Sequence, residues 1–113
     1  MRVKCSQLWM RKMKRREKMN KYSPDYTTNF RRNRRLLIKR GYDMTKLEST
    51  IDLLLTGNKM PPHYRDHSLK GNYSGYRECH VEGEGDWLLI YKKHNDTLIL
   101  VFTATGTHSD LFV

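Results

Sequence analysis

The hydrophobic period of this chain changes once, near Gly75, and no other feature restricts its fold as much. Before that point apolar residues recur at helical spacing; after it they alternate with polar ones, as strands with one buried face require. Phe30, Leu37 and Ile38 mark a first helix over Thr27 to Arg40, and Gly41 is placed to end it. Met44, Leu47, Ile51, Leu54 and Leu55 form the buried stripe of a second helix, which begins at Asp43 or Thr45 and stops at Gly57-Asn58. The link between the two is so short that they must form a hairpin. Strands are expected over Tyr76 to Glu82, Trp87 to Lys93 and Thr97 to Thr105, joined by Gly83-Glu84-Gly85 and Asn95-Asp96. Lys21-Tyr22-Ser23 is a short extended piece that Pro24 stops, and Pro61-Pro62 opens a polar loop running to about Gly75. This order specifies an α+β fold, an N-terminal helical hairpin packed on one face of a small antiparallel β-sheet.

A chain of 113 residues has room for one such core and no second. Its 22 basic and 12 acidic residues favour a polyanionic partner, but the charge is uneven. Residues 1–18 hold eight of the bases and one acid, which leaves the remaining residues with a net charge of only +3. Residues 1–18 are expected to be a disordered basic arm. Arg15-Arg16-Glu17-Lys18-Met19 is also what a purine-rich ribosome-binding site encodes when read in frame, so Met19 is the expected first residue of the native product. Cys5 and Cys79 make no disulfide or zinc framework, which fits a reducing compartment; Cys79, alternating with Glu78 and His80, is expected to pack in the sheet. The longest early apolar run, Leu8-Trp9-Met10, is far too short to be a secretion signal or membrane span, so the expected location is the cytoplasm, with no membrane contact.

Titratable side chains are concentrated between Tyr64 and Tyr91. An antiparallel sheet can bring its first strand (His80), the loop before it (His67) and the end of its last strand (His108) onto one patch. A single loop histidine is more often solvated than catalytic, and the interest lies in the constellation. Imidazole both takes and gives protons near neutral pH. On a basic protein, one histidine can remove the ribose 2′-OH proton and a second can protonate the leaving 5′-oxygen, while Arg or Lys stabilises the phosphorane. No metal or cofactor is needed for that chemistry. His63 and His67 have the spacing of a metal pair, but only on a helix that Pro61-Pro62 disfavours. The arginines of the first helix fit three readings equally: phosphate contacts, a solvated face, or a dock for an acidic partner.

The segment 19–113 resembles the YafQ branch of the RelE family of bacterial type II toxins. The resemblance is carried by Tyr64-Arg65-Asp66-His67, Leu69-Lys70-Gly71, Gly75-Tyr76-Arg77-Glu78, His80-Val81-Glu82, Asp86-Trp87 with Leu89-Ile90-Tyr91, and Thr105-Gly106-Thr107-His108-Ser109-Asp110-Leu111-Phe112. It implies a RelE-like microbial RNase fold and a metal-independent, ribosome-dependent endoribonuclease that cleaves mRNA and leaves a 2′,3′-cyclic phosphate. It also implies His67, His80, Asp86 and His108 as catalytic residues, with His67 as general base and His108 as general acid. His80 and Asp86 would orient neighbours or stabilise charge. Phe112, with Lys70 and Arg77, would hold the RNA, and Tyr91 is a further stacking candidate. The family places three residues between the histidine and the aspartate; here five separate His80 from Asp86, which makes Glu84 a rival carboxylate. The partners implied are mRNA on the ribosome and a cognate acidic antitoxin, with operator DNA bound only through their complex. Two other functions fit the scaffold or the charge: a ParE-type toxin acting on DNA gyrase, which needs no nuclease residues, and a non-catalytic nucleic-acid-binding module with idle histidines.

Overall fold

A computed structural model describes residues 20–81 and 85–112, so the basic arm, Glu82, Gly83, Glu84 and Val113 lie outside the described residues. Strand β1 (Ser23–Tyr26) leads into helix α1 (Thr28–Lys39) and helix α2 (Met44–Leu55). Then come β2 (His67–Ser68), β3 (Arg77–His80), β4 (Leu88–His94), β5 (Ile99–Gly106) and a one-turn helix α3 (His108–Leu111). The helix ends obey local chemistry. Thr27 Oγ1 accepts the Phe30 N–H at 3.0 Å to cap α1. Beyond α1, Gly41 takes φ +86°, and the Gly41 and Tyr42 N–H groups donate back to the Ile38 and Leu37 carbonyls at 3.0 Å each. Those two bonds form a Schellman stop, which turns the chain into the Asp43 cap of α2.

The sheet order is β1-β5-β4-β3-β2. Strands β2 to β5 pair antiparallel, as the alternation predicts, but β1 pairs parallel to β5, with Ser23 opposite Ile99 and Tyr26 opposite Phe102. The sheet is therefore mixed, a correction to the antiparallel expectation. Pro24 does not stop this strand: on an edge its missing N–H costs no ladder bond. A bulge between Ile90 and Tyr91 leaves Thr103 of β5 without a cross-strand partner, since Ile90 pairs with Ala104 and Tyr91 with Phe102.

One face of the sheet carries the core. Cys79, Leu89, Tyr91, Leu100 and Phe102 meet Phe30 and Leu37 of α1 and Leu47, Ile51, Leu54 and Leu55 of α2 in one cluster. Each large side chain so buried stabilises the fold by roughly 1.5–3 kcal/mol. Ile38, expected on the buried side of α1, is 45% exposed. Leu37 follows Phe30 by seven residues, nearly two full turns, whereas Ile38 lies about 100° further round the helix. No helix among the described residues is long and apolar enough to cross a membrane.

Candidate active site

The opposite face of the sheet carries two of the candidate histidines. His67 of β2 stands directly across from Glu78 of β3, and His80 lies two residues further along β3, on the same side. Diagonal neighbours of this kind are roughly 7–8 Å apart. His80 is buried, its ring centroid 6.4 Å from that of His108 at the start of α3. Asp86, from the turn before β4, closes the group. Its Oδ1 accepts the His108 backbone N–H at 3.0 Å and lies 2.8 Å from His108 Nδ1. Those two contacts, backbone first, hold Asp86 below the usual carboxylate range.

The tautomers follow from the acceptors. A carboxylate can only accept, so His108 places its proton on Nδ1 and leaves Nε2 for chemistry. His67 Nδ1 lies 2.6 Å from the Arg65 carbonyl oxygen, also an acceptor, so Nε2 is again the free nitrogen. It lies 3.6 Å from Oε1 of the buried Glu78. Arg65, with φ +51°, makes the bend that brings its carbonyl to this ring.

The C-terminal turn is fixed from several sides. Thr107 and Asp110 form a reciprocal capping box. Asp110 also takes a two-pronged bond from Arg40, at 2.8 and 3.2 Å, which ties the turn bearing His108 to the end of α1. Arg40 and the Thr107 N–H together bring the Asp110 carboxyl down to about 2. A Cβ on Gly106 would lie 3.0 Å from Asp110 Cβ and Oδ2, so a side chain there would press the Asp110 side chain aside by a few tenths of an ångström. Phe112 ends beside His108, with ring centroids 6.1 Å apart, and its ring meets Tyr73 edge-on at 5.3 Å.

Thus His80, Asp86, His108 and Phe112 come together, and His67 shares their sheet face. Lys70 is exposed on the loop before β3. Arg77 stands on the other face, across from Tyr91; its guanidinium donates to Ser68 Oγ at 2.8 Å, Asp66 Oδ2 at 3.0 Å and the Tyr91 hydroxyl at 3.3 Å. It anchors β2. Tyr91 is 1% exposed and its hydroxyl donates to Asp66, so the expectation that it stacks on RNA is overturned. Glu84 is outside the described residues. The sequence reading missed Glu78, Arg40 and Tyr73. The Thr-x-x-Asp spacing of Thr107 and Asp110 was a legible cap signal, whereas the partnership with Arg40 spans 70 positions and has no local signature.

Among the described residues no three of His, Cys, Asp and Glu converge as a metal-holding group. The family model for the bacterial toxin of type II toxin-antitoxin systems, YafQ, matches residues 22–113. The chain belongs to the YafQ family of type II toxins. A curated relative, the mRNA interferase toxin YafQ of Escherichia coli K12, is 40% identical over 89 residues, covering 78% of this chain and 92% of that protein. Among solved structures, the YafQ chain of the E. coli DinJ-YafQ toxin-antitoxin complex superposes with a TM-score of 0.73 at 38% identity, covering 82% of this chain and 99% of that one. A metal-bound toxin from Helicobacter pylori superposes with a TM-score of 0.74 at 32% identity, covering 80% and 99%.

Proposed function

We propose that this YafQ-family toxin is an mRNA interferase that cuts ribosome-bound message without a metal ion. The 2′-oxygen attacks the adjacent phosphorus, the P–O5′ bond breaks, and a 2′,3′-cyclic phosphate and a free 5′-hydroxyl result. His67, with Nδ1–H held by the Arg65 carbonyl, has the Nε2 lone pair that a general base needs, and Glu78 Oε1 lies 3.6 Å from that nitrogen. His108, held through Nδ1 by Asp86, gives an Nε2 proton to the departing O5′. His80, between them, hydrogen-bonds the developing phosphorane charge. Phe112 and Lys70 hold the message, while Arg77 fixes the strand that carries His67.

The observation that carries this reading is the 2.8 Å pairing of His108 with Asp86, within one ring-to-ring step of a second, buried histidine. A gyrase poison or a passive nucleic-acid binder has no use for it. The antitoxin is expected to be acidic and to fold over the arginine-bearing side of α1, with operator DNA bound only through that complex; the E. coli relative in complex with DinJ supports such a partner. Action on translating ribosomes places the protein in the cytoplasm.

The test is to map RNA ends after brief expression of the wild type and of His108→Ala, Asp86→Ala and Glu84→Ala. His108→Ala is expected to lower cleavage roughly 10²- to 10⁴-fold. Asp86→Ala should lower it less and Glu84→Ala little. Undiminished cleavage by His108→Ala, or DNA damage without RNA ends, refutes the proposal.

A further inference from the structure

A cavity of about 390 Å³ adjoins the histidine patch and none of the proton-transfer roles uses it. Its floor is Ile90 and Ala104. Ile90 pairs with Glu78, and Leu88, two residues back along β4, pairs with His80. The floor is therefore one ladder step, about 7 Å, from the row that holds His80. One wall is Tyr73 and Tyr76, from the turn before β3. Tyr73 is 40% exposed and already touches Phe112, so the aromatic surface runs unbroken from His108 into the cavity. Lys92 Nζ lies 5.4 Å over the Tyr76 ring, which brings a cation to that wall.

The other wall is Asn29 and Asn33 of α1, and their orientation is dictated by the sheet. Strand β1 ends opposite Phe102, so beyond it β5 presents unpaired edge groups. Asn29 Nδ2 donates to the Thr103 carbonyl at 3.1 Å, and Asn33 Oδ1 accepts the Thr105 N–H at 3.2 Å. Since a carbonyl only accepts and an N–H only donates, both amides are locked. Asn29 Nδ2 also donates to Asn33 Oδ1 at 3.4 Å, which among the described residues leaves an acceptor, Asn29 Oδ1, and a donor, Asn33 Nδ2, on the two neighbouring amides without a protein partner. Asp110, which also borders the cavity, is neutralised by Arg40.

We propose that this cavity is a base-recognition pocket, which takes the unpaired base of the RNA nucleotide next to the scissile bond. Tyr73 and Tyr76 supply the stacking faces, and the Asn29–Asn33 couple reads a donor and an acceptor on the base edge. Flat aromatic walls facing an amide pair match a planar heterocycle, and single-stranded RNA is recognised in this way. The pocket gives the toxin its own base preference at one position, over and above what the ribosome supplies. The proposal rests on the RNA-cleavage reading of the adjacent histidines.

The test uses short RNA oligomers with a 2′-deoxy substitution at the attacking nucleotide, which blocks cleavage, and each of the four bases at the flanking position. Binding to the full-length toxin is measured by fluorescence, and cleavage sites on ribosomes are mapped in parallel. Tyr73→Ala is expected to weaken the best-bound oligomer roughly tenfold, with Tyr73→Phe restoring it; Asn29→Ala should flatten the preference among bases. Oligomer binding that depends on Tyr73, from a wild type that never cuts RNA, would leave the pocket standing and refute the nuclease reading. Normal cleavage with unchanged affinity and base distribution in Tyr73→Ala and Asn29→Ala would refute the pocket alone. So would a loss of antitoxin affinity in Tyr73→Ala with RNA behaviour intact, since the cavity would then be a peptide site.

Discussion

Tyr91→Phe removes one oxygen from the core and should disturb a residue that Tyr91 never touches. The Tyr91 hydroxyl donates to Asp66 and accepts from Arg77 Nε at 3.3 Å, and Arg77 bonds Asp66 and Ser68 in turn. Burial and the neighbouring Asp66 carboxylate push the hydroxyl's pKa far up, so it remains a donor at all working pH values. Strand β2 is only two residues long, and this network holds both its flanking Asp66 and its own Ser68. Losing a buried hydrogen bond to a charged group costs about 1.5–3 kcal/mol. For a domain of this size that lowers Tm by about 6–24 °C, at 4–8 °C per kcal/mol. With a stability of 5–15 kcal/mol to begin with, nearly all molecules stay folded at 25 °C. Any drop in RNA cleavage at that temperature therefore reports displacement of His67, and a shift of about 1 Å in a reacting group can cost 10²-fold. Urea titration and single-turnover cleavage, run on the same samples, separate the two effects. A variant that loses stability yet cuts at the full rate would refute the claim that this network positions His67; an unchanged urea midpoint would refute the network itself.

Two further outcomes follow from the C-terminal turn. Gly106→Ala places a methyl 3.0 Å from the Asp110 side chain; overpacking of this kind costs about 1–3 kcal/mol, and a melting temperature equal to wild type would show that the turn has room. The Asp110 carboxyl, brought down to about 2 by Arg40 and Thr107, contributes stability that is complete above the ordinary aspartate value near 3.9 and is lost as pH falls towards about 2. The Thr107 and Asp110 amides should therefore stay protected from solvent exchange from neutral pH through pH 4, and loss of that protection above pH 4 would contradict the Arg40 tie.

The elements legible in the sequence were those specified by neighbours. Thr27, Gly41 and Asp43 signal their caps locally, and the alternation through Leu88 to Ala104 marks strands whatever they pair with. What escaped was set by distant partners. The parallel docking of β1 joins positions 76 apart, such as Ser23 and Ile99, and leaves no trace in either segment. Strand β2 is too short for its period to register. His67, His80, Asp86 and His108 drew notice as candidates because their side chains are chemically distinctive. Glu78 was passed over because a carboxylate in a strand looks like a solvent-facing residue until its burial is seen, and Arg77 was placed with the RNA because charge alone does not say which sheet face a side chain takes.

Strand β5 lies between β1 and β4, yet it follows every other strand in the chain. A growing chain that has reached His94 already contains His67 and His80, but it has nothing to seat β1 against and no ladder to hold α1. The fold must wait for residues 99–106, and the next residues after them bring His108. Synthesis order and assembly order thus coincide, so that a chain stopped at His94 carries three of the four candidate site residues without the strand that frames them.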